Sequence, residues 1–242
     1  MEWSGHGIVL SARPHAESGA VVEVFTQDHG RHAGLVRGGA SPRRKGMLQP
    51  GNSVALVWRA RLAEHLGTFT IEPLKARAGI LMQEPLSLAG LAAACAMVSI
   101  LPEREAHPGL FAGFELLLDR MEEPGIWPAL FVRWELGLLQ EMGFGLDLSH
   151  CAVTGGREDL AYVSPRTGRA VSRAAGEPYK DRLFRLPSFF LGSQAGSVTP
   201  DDVSEGLRIT GHFLERHLFT AGRAKLPDAR IRLAERLAVK AL

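Results

Sequence analysis

A basic stretch free of acidic residues offers the clearest binding chemistry in the sequence. No aspartate or glutamate lies between Asp28 and Glu64, whereas seven arginines and lysines do. Fixed positive charges without neighbouring carboxylates favour an external anion as partner. The other interpretation is a solvated surface that keeps the domain soluble. The seven basic residues are Arg31, Arg37, Arg43, Arg44, Lys45, Arg59 and Arg61.

The densest part of this stretch, residues 37–46, is typical of a loop. It combines four of the seven cations with glycine, serine and proline, and alternating apolar segments lie on both sides of it. We expect a basic, mobile loop between two strands. Arg37 and Arg59 lie at or next to strand positions, where a side chain can point to either face.

One pair of residues suggests nucleophilic catalysis, because His150 lies next to Cys151 and a base lowers the pKa of a thiol. Adjacent residues rarely point at each other, however, and we find no third group that would orient them. The sequence also lacks a glycine-rich phosphate loop, a Gly-x-Ser-x-Gly turn and a His-Glu-x-x-His helix. We therefore expect a protein that is not an enzyme.

The distribution of charge is uneven along the 242 residues, of which 45% are apolar and 22% charged. This composition predicts a globular protein of one to three domains. The net charge of +2 divides into +4 for residues 1–80, −7 for residues 81–215 and +5 for residues 216–242. Basic ends favour an anionic partner, and the acidic middle is left for packing or protein contacts.

The cysteine count and the N-terminus favour the cytoplasm. The two cysteines, Cys95 and Cys151, are too few for a disulfide framework. Residues 1–6 do not begin a signal peptide. The most apolar segment, residues 86–101, contains Ser and Gly and is shorter than the roughly 20 residues of a membrane span, so we expect a buried helix there.

The first 80 residues predict a small β-barrel. Short segments rich in β-branched and aromatic residues alternate with Gly, Pro and Asp turns. Closing five such strands removes the exposed sheet edges. The oligonucleotide-binding (OB) fold and an SH3-like barrel both fit this pattern. The predicted strands are residues 7–12, 20–26, 31–36, 53–60 and 67–71.

Helical periodicity replaces the strand pattern after Glu84. Apolar residues recur on one side of three segments that begin at proline, so we expect residues 81–242 to form a mostly helical domain and the fold class to be α+β. Two further helices are expected, one from Asp201 and one from near Pro227. The last helix carries a basic stripe that is either a second anion contact or an ordinary solvated face. The stripe consists of Arg232, Arg236 and Lys240, preceded by Arg216, Arg223, Lys225 and Arg230.

Several short segments occur in the same order as in a known protein family. The segments are Gly7-Ile8-Val9-Leu10, Arg13, Glu17, Thr26, Gly30-Arg31, Arg37-Gly38-Gly39, Leu48-Gln49-Pro50-Gly51, Arg133-Trp134-Glu135-Leu136, Met142-Gly143-Phe144 and His150-Cys151. Together they closely resemble the bacterial RecO recombination mediators, and the resemblance covers essentially the whole chain. It depends on the common order of these segments and not on one specific motif.

The resemblance implies an N-terminal OB-fold domain, residues 1–80, followed by a helical domain. It also implies binding of single- and double-stranded DNA, annealing of complementary strands, recombinase loading with RecR, and work alongside RecF and the single-stranded DNA-binding protein. The seven cations are then the expected DNA-binding residues, acting through phosphate. Base stacking has little support, since Phe25, Trp58 and Phe69 are all compatible with a core position.

The sequence departs from the family where many members carry two Cys-x-x-Cys pairs that bind zinc. Cys151 is present, but Thr154 occupies the second position, and the other pair falls on Ser172 and Ala175. One thiolate cannot hold a structural zinc ion. We expect residues 150–178 to keep a hairpin-like course without metal, and we expect no cofactor.

A different function is compatible with the same sequence. The chain would then be an adaptor whose helical part binds RecR and the acidic, apolar tail of the single-stranded DNA-binding protein, with little DNA contact. Such a tail needs an apolar groove with a basic rim, for which Arg120 or Arg133 would suffice. Binding of RNA in place of DNA is a third possibility that the sequence leaves open.

Overall fold

The computed structural model describes residues 1–192, 197–219 and 225–239. The chain forms two compact units, residues 1–124 and residues 125–242. The first contains a β-barrel and four helices, and the second contains helices and a small sheet. The predicted α+β fold class is therefore confirmed. None of the helices within the described ranges is both long and apolar enough to cross a membrane.

Five strands of the first unit close into a barrel in the order β1-β2-β3-β5-β4. All neighbouring strands are antiparallel except β3 and β5, which meet in parallel at Leu35 and Thr68. A five-stranded closed barrel of this kind is the OB fold, so the SH3-like alternative is wrong. The strands are β1 (Glu2–His15), β2 (Gly19–Thr26), β3 (Gly30–Val36), β4 (Ser53–Arg59) and β5 (Thr68–Lys75).

Strand β1 is longer than the predicted residues 7–12 because it serves two neighbours. Its first half, from Glu2 to Ile8, pairs with β4, and its second half, from Gly7 to His15, pairs with β2. A register shift between Val9 and Ser11 marks the bend between the two halves. Since both ends of β1 carry exposed polar residues, only its buried centre shows an apolar strand pattern in the sequence.

The connection between β3 and β4 contains a helix, α1 (Pro42–Met47). The prediction of an irregular loop over residues 37–46 is therefore wrong for its second half. Pro42 occupies the first helical turn, where its missing N–H costs nothing, and the carbonyl of Ser41 accepts hydrogen bonds from the amides of Arg44 and Lys45 at 3.0 and 2.9 Å. The buried side chain of Leu48 follows the helix and packs in the barrel core.

Three helices complete the first unit: α2 (Ala78–Leu81), α3 (Pro85–Val98) and α4 (Pro108–Asp119). The expectation of a buried helix over residues 86–101 is confirmed for α3, where nine residues are buried. The buried guanidinium of Arg77 joins α4 to the barrel. Its Nε lies 2.6 Å from Oδ1 of Asp119, and its Nη1 lies 2.6 Å from Oγ of Ser53.

The second unit is built on three long helices, α5 (Trp127–Glu141), α7 (Pro200–Leu218) and α8 (Asp228–Val239). A capping box begins α7, since Thr199 and Asp202 exchange hydrogen bonds between side chain and backbone. Between α5 and α7 lie a three-stranded sheet of order β7-β6-β8, the short helix α6 (Arg173–Gly176) and two 3₁₀ helices. The strands are β6 (Leu160–Val163), β7 (Ala170–Ser172) and β8 (Phe184–Arg185), and the 3₁₀ helices are Glu177–Arg182 and Ser188–Leu191.

Candidate nucleic-acid interface

Helix α1 presents three of the predicted cations to solvent. Arg43, Arg44 and Lys45 are exposed, and so is Arg37 at the end of β3. The Nη1 atom of Arg44 donates to the carbonyl of Arg37 at 2.5 Å, which holds these two residues together. Among the described residues, no carboxylate lies within 4.0 Å of any of these four cations. The four form a continuous group of unneutralised charge.

A buried asparagine fixes the end of α1. The Nδ2 atom of Asn52 donates to the carbonyls of Gly46 and Met47 at 3.0 and 3.1 Å. Its Oδ1 accepts from the backbone N–H groups of Arg77 and Ala78 at 2.9 and 3.0 Å. One side chain therefore ties the basic helix to the start of α2. Sequence reasoning missed this role, because Asn52 and Arg77 are 25 positions apart in the chain.

Arg31 differs from the other cations because two carboxylates lie next to it. Its Nη1 atom bonds to Oε1 of Glu23 on β2 and lies 3.4 Å from Oε1 of Glu103, and its Nε donates to the carbonyl of Leu101 at 3.0 Å. The side chain is only 16% exposed. The expectation that no carboxylate pairs with it is wrong, because strand pairing and the α3–α4 connection bring distant residues to its side.

Arg59 also has a carboxylate partner, contrary to the sequence-based expectation. Its Nη2 lies 2.8 Å from Oε1 of Glu2, since the two residues are directly opposite in the β1–β4 pair. This hydrogen bond lowers the pKa of Glu2. Both side chains are more than half exposed, so the pair is weak and an anion can compete for the guanidinium.

Arg61 is exposed in the β4–β5 connection, and among the described residues it has no ion-pair partner. Arg104 holds this connection in place, since its guanidinium donates to the carbonyls of Ala63, Glu64 and His65. Arg104 has a backbone φ of +64°, which is unusual for a residue other than glycine. Sequence reasoning missed Arg104, because no feature of the local sequence links it to the β4–β5 connection about 40 positions earlier.

The barrel aromatics are not available for base stacking. Phe25, Trp58 and Phe69 are 0%, 2% and 4% exposed, which confirms their expected compatibility with a core position. Trp3, which the sequence analysis did not single out, is half-buried and stacks on His29 with the ring centroids 3.9 Å apart. The rings of Phe25, Trp58 and Phe69 therefore offer no exposed face on which an external base could stack.

Two backbone N–H groups contact the buried thiol of Cys151. The Sγ atom of Cys151 accepts from the backbone N–H groups of Thr154 at 3.5 Å and Ser172 at 3.3 Å. Burial alone would raise the pKa of this thiol, but the two N–H donors lower it to about 6. Over the described ranges, no group of three His, Cys, Asp or Glu could hold a metal ion. A single thiolate does not fit zinc.

The C-terminal basic stripe is only partly described. Arg232 is exposed on α8, whereas Leu233 and Leu237 are buried on the neighbouring face, as the spacing predicts. Arg230 is 1% exposed and is therefore not part of a surface contact. Arg223 and Lys240, which the sequence analysis placed in this basic region, lie outside the described residues.

Comparisons with known proteins match almost the whole chain. The family model described as "Recombination protein O N terminal" matches residues 1–77, and "Recombination protein O C terminal" matches residues 82–227. The chain belongs to the RecO family of DNA repair proteins. The chain is 56% identical to DNA repair protein RecO of Cereibacter sphaeroides, over 98% of this chain and 99% of that protein.

Other RecO relatives are similar over comparable lengths. DNA repair protein RecO of Rhodospirillum centenum is 53% identical over 98% of this chain and 94% of its own length. The RecO protein of Methylobacterium nodulans is 51% identical over 95% of both chains. These identities extend through the OB barrel and the helical part alike. The RecO assignment places the chain in DNA repair and recombination, as the sequence resemblance predicts.

Proposed function

We propose that this RecO-family chain is a recombination mediator that binds single- and double-stranded DNA, anneals complementary strands and helps to load recombinase together with RecR. The observation that carries the proposal is the group of exposed cations on the OB barrel without carboxylate partners. Its principal members are Arg37, Arg43, Arg44, Lys45 and Arg61. Arg31 and Arg59 belong to the same proposed surface but contribute less, because carboxylates neutralise them.

Binding of this kind is driven by displacement of counterions from phosphate. It is independent of base sequence and weakens steeply as salt concentration rises. Two DNA strands that occupy one basic surface repel each other less, so complementary bases meet more often. Annealing then needs no nucleotide hydrolysis. This fits a sequence in which no nucleotide-binding loop is found.

Fluorescence anisotropy of labelled DNA across a salt series tests the proposal. Arg43→Glu/Arg44→Glu/Lys45→Glu is compared with the wild type on single- and double-stranded oligonucleotides. A matched control, Arg133→Glu/Arg166→Glu/Arg182→Glu, makes the same change in net charge at exposed cations of the second unit. We expect only the first variant to lose affinity, and the slope of log affinity against log salt for single strands to become shallower by about 2. If both variants bind like the wild type, direct binding through the barrel is refuted.

A second candidate function is the adaptor, and an apolar cleft of about 420 Å³ in the first unit favours it. Leu10, Leu88 and Leu91 line the cleft together with Met82, and Met82 is 52% exposed. No lining residue is charged, so an apolar segment fits better than an acidic tail. Met82→Glu/Leu88→Glu should abolish binding of RecR or of the single-stranded DNA-binding protein while leaving DNA affinity unchanged. Measuring partner-protein binding and DNA affinity in parallel distinguishes the adaptor from the DNA-binding mediator.

A further inference from the structure

We propose that a cleft beneath α1 receives one unpaired nucleobase of bound single-stranded DNA while the neighbouring cations hold its phosphates. This inference rests on the proposed DNA binding and adds a site to it. The cleft measures about 320 Å³ and lies between the second half of β1 and the β3–β4 connection. Its lining includes Arg13, Pro14, Ala20, Lys45, Leu48 and Pro50.

The chemistry of the cleft matches one nucleotide. Its size is within the range of about 300–1,000 Å³ that is usual for small-molecule sites. Proline, alanine and leucine residues are part of its lining, and such apolar groups suit the face of a planar base. Arg13 and Lys45 provide two cations at the same place, and among the described residues neither has a carboxylate within 4.0 Å. A nucleotide fits this combination, since its base would contact the apolar residues and its phosphate would contact the two cations.

Three uncharged polar groups around the cleft are already occupied by contacts within the protein. The amide of Ala40 donates to the carbonyl of Ser18 at 3.0 Å, Nε2 of Gln49 donates to the carbonyl of Lys45 at 3.1 Å, and Oγ of Ser11 donates to Glu23 at 3.4 Å. These three donors are therefore not free to read base edges. The cleft would accept any base by shape, in keeping with binding that is independent of sequence.

Occupation of the cleft distinguishes single strands from duplexes. A base within a duplex has to be unpaired and unstacked before it can enter, which costs free energy, whereas a base of a single strand is already unpaired. Phosphate contacts are shared by both forms of DNA. The cleft therefore adds affinity for single strands on top of the common electrostatic term.

Filling the cleft without changing its charge tests the proposal. Ala12→Phe and Ala40→Phe each place a phenyl ring at a lining position. Ala112→Phe, on an exposed position of α4, is the matched control. Each full-length protein is titrated against three labelled oligonucleotides of equal length: a single strand, the same single strand with abasic sites, and a duplex. Ala12 is exposed on a strand, where an aromatic residue is compatible with the backbone.

We expect Ala12→Phe and Ala40→Phe to weaken binding of the ordinary single strand about fivefold or more, consistent with the loss of one base contact. Affinity for the abasic strand and the duplex should stay within about twofold of the wild type. If the ordinary single strand binds equally well to all variants, or if all three DNAs lose affinity together, the cleft does not receive a base, although the proposed DNA binding stands. If the wild type binds no DNA, both proposals are overturned.

Discussion

Oδ1 of Asn52 accepts a hydrogen bond from the backbone N–H of Arg77 at 2.9 Å, and both residues are 5% exposed. The same asparagine donates to Gly46 and Met47 at the end of the basic helix α1, while Arg77 bonds through its guanidinium to Asp119 of α4. The proposed DNA-binding helix is thus connected to α4 through two buried polar side chains. The position of α1 depends on groups that do not themselves face solvent.

Replacing Asn52 by alanine should destabilise the first unit by about 2–4 kcal/mol, because buried donors and acceptors lose their partners. Urea unfolding measures this free energy, and hydrogen exchange of the α1 amides should become faster. Gln49→Ala is the control, since it removes a single exposed hydrogen bond, to the carbonyl of Lys45. An equal effect of the two substitutions would show that Asn52 does not anchor the helix.

A buried ion pair joins the helices of the second unit. Nε and Nη2 of Arg230 on α8 lie 2.5 and 2.8 Å from the two carboxylate oxygens of Glu135 on α5, and Oγ1 of Thr210 on α7 donates to Glu135 at 2.6 Å. Removing either charge alone leaves the other buried without its ionic partner. Arg230→Met should therefore cost about 3–5 kcal/mol of unfolding free energy.

The double variant Glu135→Leu/Arg230→Met provides the internal comparison. Because it removes both charges at once, it should be more stable than Arg230→Met alone. Thermal or urea unfolding of the wild type, of Arg230→Met and Glu135→Leu alone, and of the double variant measures the coupling. A double variant that loses the sum of the two single effects would contradict a coupled pair.

Strand periodicity and turn residues were sufficient to predict the barrel, and prolines at helix starts were sufficient to predict α3, α4 and α5. Those features are local, so the sequence displays them directly. The Ser41-Pro42 pair is also a helix-start pattern, but the flanking glycines and the high charge concealed a helix of only six residues. Helix propensity gives only a weak prediction for so short a segment.

The pairing state of the basic residues could not be predicted, since it depends on residues far apart in the chain. Arg31 meets Glu103 across 72 positions, and Arg230 meets Glu135 across 95. The sequence shows that Arg31 has no acidic neighbour between Asp28 and Glu64, but Glu23 lies on the paired strand. Charge counts along a chain therefore identify a basic surface without identifying which of its cations are free.

The thiol of Cys151 should ionise near pH 6, because the N–H groups of Thr154 and Ser172 donate to its sulfur and outweigh the effect of burial. Burial raises the pKa of Cys95 to about 12, so this second thiol does not interfere. Ultraviolet absorbance of the thiolate, followed between about pH 4.5 and pH 8, should show one transition that disappears in Cys151→Ala. A transition near the ordinary thiol pKa would refute the effect of the two donors.

The same shift predicts a pH dependence of stability. A folded pKa below the unfolded value of about 8.5 means that the unfolded chain binds more protons in this range. The contribution of Cys151 is therefore fully present above about pH 8.5 and is lost as pH falls through about 6. Unfolding free energy measured from pH 5.5 to pH 8.5 should rise more in the wild type than in Cys151→Ala. If unfolding free energy changed with pH in the same way in both proteins, ionisation of Cys151 would not contribute to stability.

Arg31 and Arg61 carry the same charge but should respond to mutation in opposite ways. Arg31 is held by Glu23, Glu103 and the carbonyl of Leu101, so Arg31→Gln should lower unfolding free energy by about 1–3 kcal/mol and change DNA affinity little. Arg61 is exposed, so Arg61→Gln should leave stability unchanged and reduce the salt slope of DNA binding by about 1. The free energy of unfolding and the DNA affinity from fluorescence anisotropy, both measured on the two variants, test this prediction. A larger loss of DNA affinity in Arg31→Gln than in Arg61→Gln would show that DNA displaces the carboxylates around Arg31, and Arg31 would then be a principal member of the proposed surface.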